Sequence, residues 1–148
     1  MSFASKWVVL RKFAVAPGDL DSEGVVRAEA VEQWLTETRD DYLENCVVLR
    51  ELRERSGSEL RARIHDAPAP VRFGTPMAVI VGAGATEIRP TSFTIAFRLR
   101  PIDGDGDDAI NAACEVSLED PETGVPIELG NDIRDELIAL EHAAAHVI

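Results

Sequence analysis

Apolar positions along the chain change their spacing several times, and each spacing predicts an element. Trp7 to Val15, WVVLRKFAV, is β-branched and aromatic and is closed by Pro17-Gly18, which predicts a strand. Ala16 to Gly24, APGDLDSEG, is polar, acidic and turn-forming, and predicts a loop. A helical period follows. Val31, Trp34, Leu35, Thr38 and Tyr42 share one face, while Glu29, Glu32, Glu37, Asp40 and Glu44 occupy the other. The spacing predicts a helix from about Arg27 either to Cys46 or onward through Leu49 and Leu52, with Ser56-Gly57-Ser58 as its stop.

The second half of the chain alternates. Glu59 to Asp66 is a weaker extended segment, interrupted by Pro68 and Pro70. Pro76 to Ile88, PMAVIVGAGATEI, predicts a strand with small residues in its second half. Phe93, Ile95, Phe97 and Leu99 alternate with Thr94, Ala96, Arg98 and Arg100, the pattern of a half-buried strand. Asp103 to Asp108, DGDGDD, predicts a hairpin turn, and Ile110, Ala112, Cys114, Val116 and Leu118 resume the alternation. Pro121 and Gly124 mark another turn, and Asn131 to His146 predicts a short C-terminal helix capped by Asn131 or Asp132. A strand, a long helix, a run of strands and a short helix predict an α+β domain over residues 1–148, with an antiparallel meander packed on one long helix.

Composition narrows the function. The chain carries 15 Lys plus Arg against 27 Asp plus Glu, a net charge of −12. That balance argues against general nucleic-acid binding, which needs a basic footprint. No apolar run approaches the roughly 18 residues of a membrane span. The longest apolar run of the N-terminal stretch before Arg11 is four residues, too short for a secretory signal. Cys46 and Cys114 lie far apart in sequence, so neither a disulfide framework nor a structural zinc site is expected. A cytoplasmic protein without a resident metal or cofactor is the expectation.

The candidate chemistry lies in FAVAPGDLDSEGVVRAEAVEQWLTETRDDYL, Phe13 to Leu43. An acidic loop holding Asp19, Asp21, Glu23 and Gly24 opens directly into the helix. A helix N-terminus presents unpaired N–H groups and a partial positive charge. A carboxylate beside it can act as a general base or nucleophile while those N–H groups hold a developing oxyanion. On the residues alone, Asp21 or Ser22 serves equally well as a simple helix cap.

The run GDLDSEGVV followed by a helix with WL, TR and YL resembles the hot-dog-fold acyl-CoA thioesterases of the 4-hydroxybenzoyl-CoA thioesterase-like group. PVRFG at Pro70–Gly74, EIRPTSF at Glu87–Phe93 and the stretch from Cys114 to Leu137 resemble later parts of the same family, so the likeness covers nearly the whole chain. It implies a sheet wrapped around one central helix, and a dimer or a dimer of dimers with sites between subunits. It implies hydrolysis of an acyl-CoA or acyl-carrier thioester, with coenzyme A present only as part of the substrate. Asp21 matches the family's catalytic carboxylate, Gly24 the glycine of its loop, and the main chain near Arg27 and Ala28 the donor that polarises the carbonyl. Arg89, Thr91 and Ser92 match a corner that contacts the pantetheine or nucleotide. Arg27, Arg72 and Arg98 are further candidates for the phosphates, which arginine suits by its fork geometry. The chain departs from the pattern at Val25, where the family commonly has His, and at Arg27 and Ala28, where it has Asn.

Two other functions compete. A non-catalytic hot-dog module would bind an acyl-CoA, an acyl carrier or a protein partner. A hot-dog dehydratase would need a His-containing motif that the chain lacks. Gly82-Ala-Gly-Ala85 lacks the Gly-Lys-Ser/Thr ending of a phosphate loop, and its small residues suggest close packing instead. His142 and His146 share a helical face without a third ligand, and DGDGDD lacks the glutamate that closes a calcium loop. Both cysteines suit a buried apolar role. Trp34, Tyr42 and Phe93 are candidates for an acyl pocket or for plain core packing.

Overall fold

A computed structural model describes residues 7–65, 78–102 and 109–145. Its five strands are β1 (Val9–Ala14), β2 (Glu59–His65), β3 (Ala78–Ile88), β4 (Ser92–Pro101) and β5 (Ile110–Glu119). They form one antiparallel sheet in the order β1-β3-β4-β5-β2. The alternating segments thus make the expected meander β3-β4-β5, and the strands on either side of the long helix in sequence take the two edges. The helices are α1 (Ala28–Glu44), α2 (Val47–Ser56) and α3 (Gly130–Ala145). The loop after β1 holds a 3-10 turn at Pro17–Asp19.

Strand alternation divides the sheet into two faces. Phe13, Val81, Ala83, Phe97, Ile95, Cys114 and Val116 lie on the inner one, matched across strands by Phe13↔Val79, Val81↔Leu99, Ala83↔Phe97 and Ile95↔Cys114. The curled sheet packs this face on α1. Trp34, Leu35 and Tyr42 of α1 join Phe93, Phe97, Val81, Ile133 and Leu137 in one buried cluster. Trp34 stacks on Phe13 with ring centroids 6.1 Å apart. Each such large side chain contributes about 1.5–3 kcal/mol through burial. Trp34, Tyr42 and Phe93 therefore serve the core, and all three are buried.

The long helix ends near Cys46, the shorter of its two expected ends. It breaks after Glu44, and Cys46 adopts φ −92°, ψ 72°, outside the helical region. The continuation becomes the separate helix α2, whose first N–H groups are taken by another part of the chain. The Glu136 carboxylate of α3 accepts from Val48 N–H at 3.0 Å and Leu49 N–H at 3.4 Å. A carboxylate there satisfies orphan donors and complements the helix dipole. Gly57, with φ 65°, ends α2 where the serine-glycine pattern places the stop.

Two cap expectations fail. Asn131 and Asp132 lie within the first turn of α3, because the chain enters it at Gly130 with φ 83°. Neither Asp21 nor Ser22 caps α1, whose N-cap is Arg27 with no side-chain cap bond. The expected close packing at Gly82 and Gly84 is present. A Cβ on Gly82 would lie 2.7 Å from the Trp7 ring, and one on Gly84 would lie 3.0 Å from the Glu141 carboxylate. Asp66, Pro68, Pro70–Gly74 with Arg72, Pro76, the DGDGDD segment and His146 lie outside the described residues.

Candidate functional site

The acidic loop is a small hairpin in front of α1. Leu20 and Val26 form an antiparallel bridge. Asp21 N–H donates to Val25 C=O at 2.8 Å, and Arg27 N–H donates to Asp19 C=O at 2.7 Å. Gly24 closes the tip with φ 79° and donates to Asp21 C=O at 3.1 Å. A residue with a side chain rarely adopts that φ, so glycine is needed there. Val25 and Val26 are buried and anchor the hairpin to the core. The position where the resembling family carries His is thus spent on packing.

The three acids of the loop have different environments. Asp19 turns its carboxylate back to Ala16 N–H at 2.8 Å. Asp21 accepts with Oδ1 from Glu23 N–H at 2.8 Å and from Val25 N–H at 3.0 Å. This side chain closes its own loop, an Asx-type turn, rather than the helix. Oδ1 holds both of these bonds, and the residue is exposed to solvent.

Arg27 and Ala28 are both exposed at the helix start. Arg27 N–H is already committed to Asp19, which removes it as a carbonyl donor. The first bonds into the helix run from Ala30 and Val31 N–H to Arg27 C=O at 3.0 and 3.2 Å. Ala28 and Glu29 therefore supply the N–H groups ahead of the first intrahelical bond, where the dipole is most positive. A polarised carbonyl oxygen is stabilised at such a position.

Arg89, Thr91 and Ser92 stand together at the β3–β4 turn, away from the hairpin in sequence. Arg89 N–H donates to Ser92 C=O at 2.8 Å, and its guanidinium pairs with Glu87 and, at 3.7 Å, with Glu115. Ser92 is buried and Thr91 half-buried. Ile88, Arg89, Pro90, Gly130, Asn131 and Arg134 line a cleft of about 260 Å³ beside this turn. A larger cleft of about 540 Å³ opens between α2 and the start of α3. A third, of about 250 Å³, lies along the end of α1 and the start of α2. None of the three is lined by the 19–28 hairpin. Arg98 lies on the outer face of β4, opposite Asn111 of β5.

The chain pattern gave no sign of the polar contact that ties α3 to the core. Tyr42 Oη donates to Glu141 at 2.7 Å, and the same carboxylate oxygen accepts from Ala85 N–H at 2.8 Å. Burial first, and then the hydrogen bond to Glu141, hold the Tyr42 phenol far above its ordinary pKa. The separation of 99 positions between Tyr42 and Glu141 leaves no local signal for the pairing. Both cysteines are buried as expected. Burial pushes the Cys46 thiol up to about 12, with Glu136 adding to the shift, and burial also raises Cys114. Such thiols are poor nucleophiles. His142 is exposed on α3. Among the described residues, no group of three or more His, Cys, Asp or Glu could hold a metal ion. None of their helices is long and apolar enough to cross a membrane.

A curled five-stranded antiparallel sheet around a central helix is the hot-dog fold, and the chain has that fold. Solved thioesterase-superfamily structures share it. A 1,4-dihydroxy-2-naphthoyl-CoA thioesterase from Synechocystis superposes with a TM-score of 0.63 at 17% identity, over 90% of this chain and 97% of that one. A thioesterase from Thermus thermophilus, complexed with coenzyme A and Zn, gives 0.63 at 22% identity over 93% and 97%. The 12:0-ACP thioesterase from Umbellularia californica gives 0.71 at 13% identity, over 95% of this chain and 55% of that one. No protein-family model matches the chain, and no curated protein matches it in sequence.

Proposed function

We propose that the protein is a thioesterase that hydrolyses an acyl-CoA or acyl-carrier thioester, with Asp21 as its catalytic carboxylate. One observation carries the proposal. Asp21 is held by two main-chain N–H groups in a hairpin that leads into a 17-residue helix with no capping side chain. The thioester carbonyl would rest on Ala28 N–H, whose dipole-enhanced donor favours the oxyanion. Asp21 would remove a proton from water as it attacks, or attack the carbonyl itself and form an anhydride that water then opens. Either route consumes one water and releases the carboxylic acid and the thiol. Gly24 serves by setting the loop's turn. Arg27, Arg72, Arg89, Thr91 and Ser92 are assigned to the pantetheine and phosphate portion of the substrate.

Thioesterase neighbours with CoA and ACP in their names support the reaction class. We also propose a homodimer as the functional unit, since β1 and β2 present open sheet edges and the hairpin is exposed. A thiol-release assay across short, long and aromatic acyl-CoAs, with Asp21→Ala run in parallel, tests the proposal. Turnover that disappears in the variant is the expected result. Turnover that survives Asp21→Ala would remove Asp21 from the mechanism.

The exposure of Asp21, with the described clefts lying elsewhere, favours one competing function: a module that binds acyl thioesters without cleaving them. In that case a folded protein would bind an acyl-CoA and release no thiol.

A further inference from the structure

At the helix break, α1, α2 and β2 meet around the cleft of about 250 Å³. Its floor is apolar. Leu43 of α1, Cys46 at the break, Leu49 of α2 and Leu60 of β2 line it. Cys46 and Leu49 are buried, whereas Leu43 and Leu60 are half-buried and keep apolar surface that an occupant can cover. The Cys46 thiol stays protonated at neutral pH because burial raises its pKa, so it adds no charge to the floor.

One wall is cationic. Arg50 and Arg53 stand three residues apart on α2 and share a face of that helix. Arg50 Nη2 donates to Glu44 C=O at 2.9 Å, which ties its guanidinium to the end of α1. A guanidinium carries five donors, so this bond leaves most of them for a ligand. Arg53 is exposed and pairs with no acidic side chain among the described residues. Two acids also line the cleft. The Asp40 charge is offset by Arg39, whose Nε and Nη2 donate to one of its oxygens at 3.1 and 3.0 Å. Glu44 is the other. Two arginines therefore face one uncompensated acid, in a protein whose net charge is −12.

We propose that this cleft binds an aliphatic carboxylate, with its chain on Leu43, Cys46, Leu49 and Leu60 and its carboxylate on Arg53 and Arg50. An apolar floor beside a cationic wall suits an amphipathic anion better than an amine or a neutral alcohol, and the arginine fork suits a carboxylate. The cleft of about 250 Å³ holds about eight groups of water size, at about 30 Å³ each. Octanoate has that length. Leu43 follows Ala28 by about 22 Å of α1. The cleft is therefore separate from the proposed thioester site, and the inference holds whether or not Asp21 cleaves a thioester.

The test titrates the wild type, Arg53→Glu and Arg53→Lys with octanoate, octylamine and octanol. Calorimetry gives the affinities, and amide chemical shifts locate the ligand. Arg53 is exposed, so both variants should fold, which thermal melts check. The expected Kd for octanoate is about 1 mM or below. Arg53→Glu weakens it about tenfold or more, and Arg53→Lys much less. Octylamine and octanol bind about tenfold more weakly than octanoate, and the shifts centre on Leu43, Cys46, Leu49 and Leu60. No octanoate binding, equal binding of octylamine, or an unaltered affinity in Arg53→Glu would overturn the site. Shifts centred on the 19–28 hairpin would also overturn it, since the acid would then occupy the proposed thioester site. Octanoate bound in the cleft of a protein that releases no thiol sustains this inference while the thioesterase proposal fails.

Discussion

Replacing Tyr42 with Phe removes one oxygen from a fully buried side chain and leaves the ring in place. The lost bond, Tyr42 Oη to Glu141 at 2.7 Å, is the side-chain bond that joins α1 to α3. A hydrogen bond to a charged group contributes about 1.5–3 kcal/mol, and its loss leaves the carboxylate short of a donor in a half-buried site. A destabilisation of about 2 kcal/mol follows. With an unfolding entropy of about 2.1 cal/mol/K per residue over 148 residues, this lowers Tm by about 6 °C. Urea unfolding followed by circular dichroism gives the free energy directly. The double variant Tyr42→Phe/Glu141→Ala should cost less than the sum of its parts by about 1 kcal/mol or more, because both changes break one network. Turnover per folded molecule should not change. Tyr42 lies toward the far end of the 17-residue α1 from Ala28, about 20 Å along the helix axis. A Tyr42→Phe protein within about 0.5 kcal/mol of wild type, or strictly additive double-variant energies, would refute the assignment of this contact as the tie between the helices.

Gly82→Ala places a methyl 2.7 Å from the Trp7 ring; overpacking of this kind costs about 1–3 kcal/mol, and Trp7→Ala in the same protein should recover part of it in thermal melts. Cys46 and Cys114, both buried, should react with a thiol reagent at pH 8 only as fast as the protein unfolds, which a denaturant titration of the labelling rate measures. The raised thiol also sets an alkaline limit. Cys46 stays protonated in the fold up to about 12 but ionises near 9 in the unfolded chain. Its contribution to stability is therefore complete below pH 9 and is lost as the pH rises toward 12. The Tyr42 phenol acts in the same direction once the pH passes its ordinary value of 10.0. Unfolding free energy measured from pH 8 to 11 should fall, and a flat profile would contradict the assigned burial of both groups.

The parts of the fold that were legible in sequence are those with a strong period. Phe93 to Leu99 and Ile110 to Leu118 alternate cleanly, because one face of each strand is buried and the other is not. Val31, Trp34, Leu35, Thr38 and Tyr42 are all buried on one face of α1, as their spacing required. The end of α1 near Cys46 was legible, but the fresh start of α2 was not, since Leu49 and Leu52 continue an apolar face and the carboxylate that takes the first N–H groups of α2, Glu136, is far away in sequence. The order of strands was equally hidden, because β2 pairs with β5 through register and not through proximity along the chain. At the candidate site the motif located the loop but not its wiring. An acidic residue before a helix suggests a cap, whereas the hairpin from Asp19 to Arg27 turns the Asp21 carboxylate onto Glu23 and Val25. Arg27 and Ala28 are adjacent in sequence, and only the Arg27 bond to Asp19 separates the committed donor from the one that leads the helix.

The most direct test of the central claim is the activity of Asp21→Asn on whichever acyl thioester the wild type cleaves. Asparagine keeps an oxygen for Glu23 and Val25 N–H, so the hairpin is retained and Tm should stay within about 3 °C, which corresponds to roughly 1 kcal/mol. It cannot act as a base or nucleophile, and the loss of such a group costs about 10²–10⁴ in rate. A folded Asp21→Asn protein with thiol release reduced at least a hundredfold is the predicted result. Wild-type turnover in that variant would contradict the assignment of Asp21 as the catalytic carboxylate.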